Sequence, residues 1–197
     1  MAKVSISPSN SFCPQTLFVY GTYSGDGKPD FGLFCWVSYY WDNESNNLGV
    51  MAAICEDKRT RDNIRRNGIF SMGLVTEELL PLADYFGCKS GNDPDKMNIA
   101  VDIEKGAALD VPVLAKCPWT FELEVLHTFQ DGKGADIYLC KIRNVLADES
   151  LHDESVSFEE KLNRIRPART VVGSTYFSWD GRALAKWGEP GNAVKQI

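Results

Sequence analysis

Histidine is nearly missing from this chain: His127 and His152 are the only two in 197 residues. A hydrolytic Ser-His-Asp site would have to be built on one of them, and no G-x-S-x-G turn points to such a site. The six cysteines (Cys13, Cys35, Cys55, Cys88, Cys117 and Cys140) include no C-x-x-C pair. With so few histidines, that is too thin for a structural zinc centre, and no metal is expected. No G-x-G-x-x-G follows a strand pattern and no G-x-x-x-x-G-K-[ST] occurs, so a dinucleotide fold and a phosphate loop are both excluded. No apolar run reaches the roughly 18 residues of a membrane span. The opening MAKVSISPSNSF lacks the apolar core of a secretory signal. Nor is there an excess of positive charge: 21 basic against 27 acidic side chains leave a net charge of −6, a poor balance for binding nucleic acid. A local basic pocket for one phosphate stays compatible with that total. Cys35, Cys55 and Cys140 sit in apolar runs and read as small buried hydrophobes. A cytoplasmic, reduced protein is the expectation.

Hydrophobic residues make up 44% of the chain, enough for one sizeable core, and one domain over residues 1–197 is expected. Area scaling for this length predicts about 9,300 Å² of exposed surface. Two turn signals, Ser24–Asp30 (SGDGKPD) and Gln130–Asp136 (QDGKGAD), each separate β-rich segments. Around the second, Phe121, Leu123 and Val125 alternate with Glu122 and Glu124, the period of a strand with one solvated face. Leu48–Glu56, Ile69–Val75 and Thr170–Trp179 read as further strands. The segment Phe31–Asp42 reads as a strand running out into an aromatic loop. Helices are few and short. Thr60 opens one that Gly68 ends. A second follows Thr76 and starts late because of Pro81. Ser157 with Glu160 forms a capping box for a third, stopped by Pro167. Asp148–Glu154 reads as a solvated loop. The fold class is therefore mostly β with a few short helices, about six antiparallel strands in a barrel or sandwich.

Two neighbouring stretches carry chemistry. Trp36, Tyr39, Tyr40 and Trp41 crowd the strand exit, either as core and interface packing or as the wall of a ring site. Arg59, Thr60, Arg61 and Asn63 stand at a helix start, where free N–H groups and the positive dipole end favour an anion. The competing account is a Thr60 N-cap with solvated arginines. Taken together, the two stretches describe a site for a flat ring that carries a phosphate. His127 falls at a strand end on the barrel rim.

In order, these pieces resemble the flavin reductase-like proteins of the FMN-binding split barrel, flavoredoxin-type members among them. FGLFCWVS matches the family's N-x-x-T-x-S-W-like strand through Trp36 and Ser38, with Asp30 where the strand-opening Asn stands. Arg59–Ile64 (RTRDNI) matches the r-x-T-x-x-N-I helix start, Gly68–Leu74 (GIFSMGL) the following strand, and Ser90–Lys96 (SGNDPDK) an S-G-x-x-x-D-K segment. The match runs over about residues 12–180. It implies a six-stranded antiparallel split barrel that binds FMN non-covalently at a homodimer interface. Hydride from NADH or NADPH passes through the flavin to a small-molecule or protein acceptor. The alternative it leaves is an FMN-binding electron carrier with little NAD(P)H activity. The resemblance puts the phosphate at Thr60 and Asn63, with Arg59 or Arg61 as counter-charge. Asp30, Phe34, Cys35, Trp36, Val37 and Ser38 lie along the ring, the N–H groups from Phe34 to Trp36 facing its carbonyl edge. Lys96 is either a donor that stabilises negative charge on the reduced flavin or a surface lysine. Tyr176 and Phe177, near Trp179, either shield the ring or pack in the core. A flavin carries the redox chemistry itself, which suits a chain so short of histidine.

Overall fold

A computed structural model describes residues 2–55, 58–130, 134–171 and 174–197. A short β1 (Gln15–Thr16) precedes the hairpin of β2 (Phe18–Tyr23) and β3 (Pro29–Phe34). Next come β4 (Val37–Asp42), β5 (Asn47–Ile54), α1 (Arg59–Asn67), β6 (Ile69–Leu74) and α2 (Leu80–Cys88). A small ladder of β7 (Ile103–Lys105) and β8 (Pro112–Leu114) leads to the long hairpin of β9 (Trp119–Gln130) and β10 (Asp136–Ala147). After α3 (Phe158–Ile165), the strands β11 (Arg169–Val171), β12 (Thr175–Phe177) and β13 (Ala183–Lys186) finish the chain.

The main antiparallel sheet runs in the order β3-β2-β6-β9-β10-β5-β4, seven strands rather than the six expected. Its two edges, β3 and β4, are joined by Cys35 and Trp36 alone, so the sheet must roll until those edges meet. A bend closes the seam: Val37 N donates to Cys35 O at 2.9 Å, and Ala53 N reaches Trp36 O at 2.9 Å. The aromatic segment after Phe34 is thus not a loop. It reverses into β4, which pairs with β5 from Val37↔Ala52 to Asp42↔Asn47. Thr170–Trp179 is likewise not one strand but β11 and β12, paired antiparallel with Thr170 opposite Tyr176.

Inside the barrel lie Phe18, Tyr20, Phe70, Met72, Leu123 and Tyr138, closed at one end by Ile64 of α1. A second core, including Val19, Phe31, Leu80 and Phe86, fills the space between the outer sheet face and α2. Burying Ile64 contributes about 1.5–3 kcal/mol. Gly68 ends α1 in the left-handed region, φ 69°, where its N–H bonds Ile64 O. α2 starts at Leu80 with Pro81 in its first turn, and Thr76 Oγ1 accepts from Leu79 N. Ser157 caps α3 through Glu160 N, but the Glu160 carboxylate turns to Arg164 instead of completing the box. The β2–β3 hairpin turns through Gly27, φ 78°. Part of the β9–β10 turn, 131–133, lies outside the described residues, as does 172–173 before β12.

Two burial expectations are corrected. Glu122 does not face solvent: it is 0% exposed, because residues 107–109 fold over that face of β9 and donate three N–H groups to its carboxylate. Cys140 is buried as expected, but Cys35 is only half-buried and Cys55 is exposed, because both sit at the seam where the sheet opens. No helix among the described residues is long and apolar enough to cross a membrane.

Candidate functional site

A cavity of about 190 Å³ opens at the seam. Phe34, Cys35 and Trp36 form one side and Ala53, Ile54 and Cys55 the other, with Tyr20 and Tyr176 in its wall. The lining is mostly apolar with few polar groups, the composition of a site for a flat ring. Four residues expected at a ring therefore converge: Phe34, Cys35, Trp36 and Tyr176. Val37 and Ser38 continue into β4, with Ser38 exposed opposite Met51. Phe177 is half-buried on β12 and does not line the cavity. The Cys35 thiol donates to Gln15 Oε1 at 3.5 Å. Burial, with a smaller contribution from Cys55, pushes its pKa up to about 11, so it stays protonated at neutral pH.

The start of α1 borders this cavity. Its N-cap is Lys58, in extended backbone and with no side-chain cap, not Thr60, which falls within the first turn. Lys58 lines the seam cavity. Thr60 and Asn63 turn into the core: Thr60 Oγ1 donates to Tyr20 Oη at 2.9 Å, and Asn63 Nδ2 donates to Thr22 Oγ1 at 3.0 Å. Both are nearly buried, at 3% and 2% exposure. They pin the helix to the barrel, and Thr60 touches the cavity wall only through Tyr20. The Arg61 side chain is 14% exposed, and its Nε is buried without an acceptor. Its neighbour Arg65 is taken up by Asp136 in a two-pronged pair at 2.5 and 2.7 Å. An uncapped helix start with Lys58 at the cavity suits an anionic group such as phosphate, while Arg61 Nη2 lies 3.5 Å from Asp62 Oδ1 and does not line the cavity.

Arg59 faces a second cavity of about 410 Å³, with Asp30, Gly91 and Lys96. Lys96 is not a surface lysine. It is 3% exposed, and its ammonium donates to Asp30 Oδ1 at 2.8 Å and Phe31 O at 2.5 Å. Asp30 and Phe34 stand at opposite ends of β3, about 13 Å apart along the strand. Asp30 and Lys96 therefore lie away from the seam, and the start of α1 stands between the two cavities. His127 is exposed on β9 and lines neither cavity.

Tyr20, Cys55, Lys58, Thr170 and Trp187 line the seam cavity although the sequence did not single them out for it. Lys58 had a signal, since it immediately precedes the arginine run. Trp187 had none, because only the pairing of β12 with β13 brings it back.

The flavin reductase like domain matches residues 10–166. The chain belongs to the flavin reductase-like family. No curated protein matches it. Among solved structures it is similar to flavoredoxin of Desulfovibrio vulgaris (Miyazaki F), at 23% identity and TM-score 0.75, over 96% of this chain and 100% of that one. It is also similar to flavoredoxin from Methanosarcina acetivorans, at 19% identity and TM-score 0.79, over 94% and 95%. An FMN-binding protein from Thermus thermophilus with bound p-hydroxybenzaldehyde matches at 17% identity and TM-score 0.71, over 94% and 97%. These likenesses establish the antiparallel split-barrel fold of this family member.

Proposed function

We propose that this flavin reductase-like protein binds FMN non-covalently, with the ring in the seam cavity and the phosphate at the start of α1, and acts as an NAD(P)H-dependent flavin oxidoreductase. The observation that carries the reading is the uncapped α1 start, with Lys58 in the lining of an aromatic-walled cavity. FMN, when bound, supplies hydride acceptance from a reduced nicotinamide and electron release to the acceptor. The chain's own part is to bind and orient. Lys58 and Arg61 neutralise the phosphate. Tyr20, held by Thr60, fixes one wall, and the apolar lining keeps water from the ring. Arg61→Ala and Lys58→Ala are each expected to weaken FMN binding by about 1–3 kcal/mol, as loss of a charge-assisted bond should. Fluorescence titration of FMN checks this, and unchanged affinity in both variants would move the phosphate elsewhere.

A homodimer is part of the reading. The outer face of β4, β5, β9 and β10 carries exposed Trp36, Met51, Phe129 and Ile137 in one patch. Trp36 joins that patch to the cavity mouth. Ile137→Asp should therefore halve the mass seen by light scattering and loosen FMN together with it.

The deciding experiment is an absorbance spectrum of the purified protein with added FMN, followed by anaerobic NADH and then NADPH. Bound flavin that bleaches supports the reductase. Bound flavin that does not bleach supports the electron carrier, and absence of binding overturns both.

A further inference from the structure

The family match stops at residue 166, yet Thr170, Tyr176 and Trp187 form part of the seam cavity. One buried carboxylate brings this later segment into place. Asp84 on α2 is 0% exposed. Its Oδ1 accepts from Tyr176 Oη at 2.6 Å and from Gly188 N at 2.8 Å, and its Oδ2 accepts from Gly191 N at 2.8 Å. The two backbone donors bracket the turn after Trp187, and the hydroxyl belongs to the other aromatic wall. Trp187 N also bonds Ser174 O at 3.1 Å, and the Trp187 and Tyr176 rings lie 6.1 Å apart, inclined by 34°. The indole tip rests on Gly87 of α2, where an added Cβ would stand 2.8 Å from Trp187 Cη2. Trp187 is still 44% exposed, so one part of its ring packs on α2 while another borders the cavity.

We infer that Trp187 is the retaining wall of this cavity, governing how long a flat aromatic ring of the flavin class stays bound, and that Asp84 is its positioning residue. The inference rests on the seam cavity being the flavin site, and it assigns this control to the segment beyond the family match. An aspartate suits the position because the Tyr176 hydroxyl, two backbone N–H groups and, at 3.8 Å, the Cys88 thiol all donate to it, and a carboxylate only accepts. An asparagine would set its own N–H₂ against one of those donors. A ring lying against the indole gains aromatic contact, and the same indole obstructs its departure.

The test uses the full chain. FMN dissociation is followed by stopped flow, and Trp187 accessibility in the flavin-free protein by acrylamide quenching. Trp187→Ala should speed FMN release at least about tenfold, while Trp187→Phe, which keeps an aromatic wall, should stay within about threefold of wild type. Asp84→Asn should speed release as Trp187→Ala does. It should also raise quenching, and that rise should vanish when Trp187→Phe is added. Gly87→Ala pushes the indole tip and also crowds Leu33, whose Cβ would stand 3.0 Å from the new methyl, so a melting curve accompanies its release rate and shows that the fold is kept where Asp84→Asn folds poorly. Wild-type release rates in both Trp187→Ala and Gly87→Ala would overturn the inference while leaving the flavin site standing. A wild-type protein that binds no FMN would overturn both, and quenching would then report the Asp84 contact by itself.

Discussion

Lys96→Met is expected to lower stability by about 3–5 kcal/mol, the cost of stranding one member of a buried ion pair. The Lys96 and Asp30 side chains are only 4% and 7% exposed, and the carboxylate's other oxygen, Oδ2, is already buried without a partner. Removing the ammonium leaves that carboxylate alone in the protein interior and takes a donor from Phe31 O. Burial lowers the pKa of Lys96 and the attraction of Asp30 only partly opposes it, so the charged pair is held at a cost. It follows that Asp30→Asn combined with Lys96→Met should recover much of the loss. Urea unfolding of the wild type, both single variants and the double variant measures the coupling. Additive losses would show that the pair is not a unit. The same variants bear on chemistry. If Lys96 stabilises the reduced flavin, Lys96→Met slows anaerobic flavin reduction in the folded protein more than it weakens FMN binding. Equal reduction rates would leave Lys96 a structural residue.

Glu122→Leu should also be damaging, at about 3 kcal/mol, because it leaves the part-buried donors that converge on this carboxylate without their acceptor. The carboxylate accepts from Ala107 N, Ala108 N and Leu109 N at 3.0, 2.9 and 2.6 Å, and from Asn144 Nδ2 at 2.7 Å. For a chain of this length the melting temperature should fall by roughly 10 °C. Glu122→Gln keeps one accepting oxygen and should lose less. Acid has a related effect. Burial alone would raise the pKa of Glu122, but the Asn144 amide and the three N–H groups outweigh it and hold the carboxyl below its ordinary value. A carboxylate lowered in the folded state adds stability above its unfolded pKa of about 4.3 and loses it as pH falls through the folded value. Asp136 behaves alike, lowered chiefly by Arg65. The wild type should thus lose stability below about pH 4.5, and Glu122→Gln should show a smaller share of that loss. Melting curves from pH 7 to pH 3 read it directly. A wild type and variant that fall in parallel would remove Glu122 from the acid response.

Local chemistry was readable where a residue acts on its own stretch of chain. Gly68 ends α1, Pro81 delays α2, Ser157 caps α3, and the Gly-rich turn after Tyr23 makes a hairpin, because each effect reaches only a few residues. The aromatic strand exit and the basic helix start were legible in the same way, as was their order along the chain. Contacts between distant segments were not. Glu122 alternates like a solvated residue, and only the return of residues 107–109, thirteen to fifteen positions earlier in the chain, makes it a buried anchor. Thr60 and Asn63 looked like free donors for an anion, until Tyr20 and Thr22 met them from forty and forty-one residues away.

The family was written in residue order alone, since a turn, a cap and a charged helix start need no partner to be recognised. Which side chains face the cavity was decided by closure of the barrel. Once β3 and β4 meet at Cys35 and Trp36, the positions on either side of the seam turn to the cavity, and Asp30 with Lys96 falls at the far end of β3. Trp187 joins them from a segment 151 residues after Trp36, held by a carboxylate on a helix between the two. Pairings over such separations depend on the whole sheet rolling up, which no local pattern encodes.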